Sequence, residues 1–104
     1  MTQEELVTAL ETTSIPIVYG EFEEEVNAPF ITYQFSSSAD IKADNQNYVD
    51  ISGYQVELYT DKKSPVTEKL VQDVFKLNGL VYSKYESRIS EEKLYQIVYT
   101  IQLI

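Results

Sequence analysis

Residues Leu94 to Ile104 read LYQIVYTIQLI. Tyr95, Ile97, Tyr99, Ile101 and Leu103 recur at period two, with Gln96, Thr100 and Gln102 between them, which is the alternation of a long strand with one buried face. A strand of this kind running to Ile104 with no polar tail places the C-terminal segment in the core or in an interface. Just before it, Ser90 to Lys93 is a tight polar turn. Leu80 to Ile89 alternates more weakly, with Val81, Tyr85 and Ile89 in phase and Lys84, Glu86 and Arg88 opposite. The two segments predict an antiparallel hairpin.

The same period appears earlier. Pro29 to Phe35, PFITYQF, puts Ile31, Tyr33 and Phe35 on one face and Thr32 and Gln34 on the other. Tyr48 to Thr60 reads as a second long strand whose apolar residues change parity, from Val49 and Ile51 to Tyr54, Val56 and Leu58. A β-bulge near Gly53 is expected to absorb the extra residue and return both sets to one face. Between these strands, Ser36 to Asn47 (SSSADIKADNQN) is polar and predicts a projecting loop or the tip of a long hairpin. Ile15 to Tyr19 is apolar and β-branched around Pro16, which suits a strand start or a sheet edge. Gly20 to Asn27 carries Glu21, Glu23, Glu24 and Glu25 and reads as a solvated connection.

Two helices complete the pattern. Thr2 with Glu5 forms a capping box ahead of Leu6, Val7 and Leu10, predicting a helix to about Thr12. After the turn Asp61-Lys62-Lys63, Ser64 can cap and Pro65 can take the first helical position. Leu70, Val71, Val74 and Phe75 then form a buried stripe that ends at Asn78-Gly79. The order is helix, three strands, helix, two strands. It predicts a single α+β domain over residues 1–104, with a mainly antiparallel sheet of four to five strands and two helices packed on one face.

Composition narrows the class of function. The chain has 104 residues and no cysteine, so packing rather than disulfides or thiolate-bound metal must hold it. No basic, apolar leader precedes the acidic first helix, and no apolar run approaches a membrane span, so a soluble protein without membrane contact is expected. Seventeen acidic against eight basic residues give a net charge of −9, which opposes tight nucleic-acid binding. Nine tyrosines against no tryptophan and no histidine suit surfaces wet on one side and buried on the other. Tyr95 and Tyr99 are expected in the core, and Tyr48, Tyr59 and Tyr82 are candidates for a partner-facing surface.

Chemistry finds little support. There is no histidine or cysteine, and no serine in a nucleophile-elbow context, so triads are unsupported. Gly20, Gly53 and Gly79 lie far apart and form no phosphate cradle. Asp40 and Asp44, with Asn45 and Asn47, offer oxygen ligands to a hard cation, but the spacing lacks the glycine and closing glutamate of an EF-hand. No catalytic, cofactor or metal residue is assigned.

The segments PFITYQF, ADNQNYVDISGYQVELYTDKKSP (Ala43–Pro65) and EEKLYQIVYTIQLI (Glu91–Ile104) resemble the tail-completion, or head–tail joining, proteins of long-tailed bacteriophages and prophages of Gram-positive bacteria. The resemblance spans nearly the whole chain, and its most specific stretch is NYVDISGYQVELYTDKKSP. It implies a fold similar to phage tail terminators. It further implies a non-enzymatic ring, often a hexamer, at the head-proximal end of the tail, whose partners are itself, the tail-tube protein and the connector proteins. The implied location is the virion neck or tail, reached from the host cytoplasm during assembly. No ring-contact signature comes with the resemblance, so the interface candidates rest on the polar loop. Asp40, Ile41, Asp44 and Tyr48 are expected to reach a neighbouring subunit or the tube, with Ile41 as its lone apolar anchor. The alternative is a small acidic phage protein acting as a DNA mimic or inhibitor of a host protein. That reading needs carboxylates on one continuous face.

Overall fold

The computed structural model describes residues 1–104. Its elements are α1 (Gln3–Glu11), β1 (Ile17–Tyr19), β2 (Phe30–Ser38), β3 (Ile41–Ala43), β4 (Gln46–Val49), β5 (Ser52–Thr60), α2 (Pro65–Leu77), β6 (Ser83–Ile89) and β7 (Leu94–Leu103).

The helix ends follow their local chemistry. Thr2 Oγ1 accepts from the Glu5 amide at 3.1 Å, and Glu5 Oε1 accepts from the Thr2 amide at 3.0 Å. That backbone donor favours the charged carboxylate and holds Glu5 below the usual range. Ser64 caps α2 through the Thr67 amide, with Pro65 next in line. At its far end Gly79 adopts φ +68, and the Leu80 and Gly79 amides return to the Phe75 and Lys76 carbonyls, the double closure that ends many helices.

Five strands form one sheet in the order β1-β2-β5-β7-β6. All neighbours are antiparallel except β1 and β2, which run parallel. The register aligns Ile31, Leu58 and Ile97, and beside them Tyr33, Val56 and Tyr99, so one sheet face is continuously apolar. Leu6 and Leu10 of α1 and Val71, Val74 and Phe75 of α2 join that face in a single core. The fold is thus α+β, as the alternation predicts.

Three local expectations are corrected. Leu70 does not belong to the buried stripe: it is 48% exposed, and Glu68 is buried instead. Tyr48 to Thr60 is not one bulged strand, because the chain breaks at Asp50-Ile51 into β4 and β5. The extra residue at the bulge is Ser36 on β2, skipped between the pairs Phe35–Tyr54 and Ser37–Gly53. In β6 the phase is inverted: Lys84, Glu86 and Arg88 stand opposite Tyr99, Ile97 and Tyr95 on the helix-bearing face, and Tyr85 is 59% exposed on the other.

A charged cluster explains that inversion. The Glu68 carboxylate, only 6% exposed, receives Lys63 at 2.6 Å and Lys84 at 3.3 Å. Lys63 also reaches Glu86 at 2.6 Å, and Lys84 donates to Gln72 at 2.8 Å, whose Oε1 accepts from Tyr99 at 3.1 Å. β6 therefore turns Lys84 and Glu86 toward α2, while Arg88 stays exposed over Tyr95. Inward charges on an edge strand also discourage the addition of a further strand.

Candidate functional site

The polar segment folds as an arm. β3 and β4 pair with each other and with no strand of the main sheet, and no residue from Gln34 to Asp50 is buried. A nine-residue strand spans roughly 30 Å, so the 50 Å long axis of the molecule requires the arm's extension beyond the sheet.

The four interface candidates divide by role. Asp40 ties the base of the arm: its carboxylate accepts from the Ile51 amide at 2.8 Å and from Asn47 Nδ2 at 2.9 Å. Asp44 and Asn45 take φ of 52° and 61°, the two left-handed positions of a tight hairpin turn that Asp and Asn tolerate. These groups shape the arm. Ile41 and Tyr48 are what it presents, 55% and 63% exposed. The register slips between Ile41–Val49 and Lys42–Asn47, which leaves Tyr48 unpaired in a bulge.

The other tyrosine candidates lie elsewhere. Tyr82 is half-buried and packs against Phe75 and Tyr99 at the margin of the core. Tyr59 lies on the sheet face that carries no helix, stacked on Phe30 at 4.7 Å, and its hydroxyl donates to Glu57 at 2.9 Å and accepts from Gln96 at 2.9 Å. Burial first, and the bond to Glu57 second, push its phenol above the ordinary value. Thr32 donates to the same Glu57 oxygen at 2.9 Å. Tyr95 is half-buried under the Arg88 guanidinium, 4.6 Å from its ring centre, whereas Tyr99 is fully buried.

Around Tyr59 the helix-free face opens into a cleft of about 1120 Å³. Phe30 and Tyr59 form its floor, with Phe22 packed edge-on against Phe30. Its rim is acidic, from Glu21, Glu23, Glu24 and Glu25 on one side and Glu91 and Glu92 on the other. The glutamate run is the solvated connection expected, but its role in walling a cleft was not legible, because that depends on the β6–β7 turn folding back beside it. The uneven distribution of charge along the chain was legible by counting acids and bases in each half, which the net charge conceals.

Neither a protein-family model nor a curated protein sequence matches this chain. Among solved structures, a chain of the virion of a native gene transfer agent particle is similar in fold. The TM-score is 0.67 at 12% identity, over 95% of this chain and 87% of that one. At this identity the likeness is one of fold.

Proposed function

We propose that this chain is a non-enzymatic structural subunit of a phage virion. It assembles as a ring at the head-proximal end of the tail, ending the tail tube and joining tail to head. The observation that carries this reading is the likeness of fold, over almost the whole chain, to a protein of a virion particle. The sequence resemblance to tail-completion proteins points the same way.

The arm supplies the means. A hairpin braced at its base by Asp40, turned by Asp44-Asn45 and tipped with Ile41 and Tyr48 offers two apolar anchors beyond the body of the subunit. Burying each on a partner contributes about 1.5–3 kcal/mol. The excess of acid suits a protein beside a channel that DNA must traverse without adhering.

Mass measurement across a range of concentrations, followed by electron microscopy of any large species, tests this reading. Rings, or an oligomer of defined size, are the expected result. Deleting Ser38–Gln46 is expected to spare folding and block ring formation or tail joining. Normal infectious particles from that deletion refute the role of the arm. The acidic cleft favours a second reading, a DNA mimic, which predicts inhibition of a nuclease by the purified protein.

A further inference from the structure

The charge of this chain is polar in space. Twelve acidic residues and one basic residue precede Lys62, a net of −11, while the remainder holds five acidic and seven basic residues, a net of +2. The sheet order turns that sequence asymmetry into a spatial one. α1, β1, β2 and β5 form one half of the molecule, and β7, β6 and α2 form the other. None of these twelve carboxylates is ion-paired, since every salt bridge lies within α2, β6 and the turn before α2; eight of them lie on α1, the Gly20–Asn27 connection and β5, three in the arm segment and one, Asp61, in the turn before α2. Once those pairs are set aside, Lys62, Lys76 and Arg88 are in no ion pair, and neither is Lys93, which lies in the acidic cleft with Glu91 and Glu92.

α2 also carries apolar surface that the subunit does not use, on the side of the helix turned away from the Glu68 and Gln72 face that meets β6. Val66, Leu70 and Leu77 are 76%, 48% and 86% exposed. On a helix they fall within about 40° of one another, a second stripe separate from the buried one. Val81, just past the helix, is 89% exposed. At the opposite edge Tyr19 of β1 is 49% exposed beside the glutamates of the Gly20–Asn27 connection.

We propose that the α2/β6 edge of one copy docks side by side on the α1/β1 edge of a second copy, so that the ring closes head to tail. The proposal rests on the ring reading and names the surfaces that meet. Charge complementarity identifies the occupant. A chain of net −9 repels its own copies in most orientations, and only the juxtaposition of its basic and acidic edges turns that repulsion into attraction. Such a contact uses two different patches, which is the geometry that generates closed rings. Side chains make the contact rather than strand addition, because β6 turns Lys84 and Glu86 toward α2.

Charge reversal tests it. One variant carries Lys76→Glu and Arg88→Glu, the other Glu21→Lys and Glu24→Lys; all four sites are exposed, and circular dichroism confirms folding. Association is read by mass photometry in low and in physiological salt. Each variant is expected to need roughly 100-fold more protein to assemble, about tenfold per reversed charge. Mixing the two, or combining all four substitutions in one chain, is expected to restore assembly, because the reversed edges again match. Wild-type association is expected to weaken as salt rises. If both variants assemble like the wild type, the proposal is overturned and the ring reading survives, with the arm deletion then locating the contact. Loss in the acid-edge variant alone, without rescue on mixing, points to a basic partner of another kind and also overturns it. A wild-type protein that is monomeric at every concentration overturns both readings.

Discussion

Replacing Lys63 and Lys84 together by Met is expected to destabilise the protein far more than neutralising the carboxylate they share. Glu68 is 6% exposed, whereas the two lysines are 47% and 43% exposed, so the carboxylate depends on its partners and they depend little on it. In Glu68→Gln the lysines return to water, and the loss is about 1 kcal/mol. Lys84→Met leaves Glu68 with Lys63 at 2.6 Å, and Lys63→Met leaves it with Lys84 at 3.3 Å. Each single change therefore costs about 1 kcal/mol or less. Without both, a buried carboxylate has no cation, and the cost rises to about 3–5 kcal/mol. Adding Glu68→Gln to the double lysine variant should recover roughly 2 kcal/mol, a coupling that only a shared contact produces. Urea denaturation at pH 7 across this set measures each value. A double lysine variant no less stable than Glu68→Gln, or a triple variant no better than the double, refutes the reasoning.

Gly53→Ala places a Cβ 2.9 Å from the Ser37 carbonyl oxygen, where the backbone at the bulge must yield, and it is expected to cost about 1–3 kcal/mol in thermal unfolding. Asp40→Ala removes two hydrogen bonds at the base of the arm, each worth about 1 kcal/mol. Because the arm is separate from the core, hydrogen exchange at the Ile51 amide should accelerate while the melting temperature scarcely moves. Stability is expected to fall as pH rises above 10. Burial raises the Tyr99, Tyr59 and Tyr54 phenols, and Glu68 and Glu86 raise Lys63, so the folded chain keeps protons that the unfolded chain has already released. The phenolate absorbance contributed by these three tyrosines, isolated by Tyr99→Phe, Tyr59→Phe and Tyr54→Phe, should therefore appear only as circular dichroism is lost; their titration at pH 10 in a folded protein contradicts this.

The strongly alternating segments were legible because one of their faces is buried. Ile31 and Tyr33, Val56 and Leu58, and Ile97 to Leu103 each place themselves once the period is known, and the caps at Thr2 and Ser64 are local chemistry. What failed depends on distant partners. Nothing near Leu70 says that its side of the helix is left uncovered, and nothing near Lys84 reveals a carboxylate sixteen residues earlier on the inner face of α2. The parity change around Gly53 was real, but a period-two pattern cannot tell a bulge from a strand that ends and hands over to an arm. At the arm, sequence reasoning found the exposed pair Ile41 and Tyr48, but it could not see that Asp40 and Asp44 are occupied in shaping the hairpin.

β7 follows both β5 and β6 in sequence yet lies between them in the sheet. During synthesis, β5 and β6 therefore wait without their shared neighbour until residues Leu94–Leu103 have emerged. Most of the core is thus completed in one late event rather than element by element, and long-range closure of this kind slows folding. A nascent chain halted within β7 leaves β5 with an unpaired edge and the apolar face of Val56 and Leu58 uncovered on that side, the kind of unfinished edge that exposes a chain to aggregation.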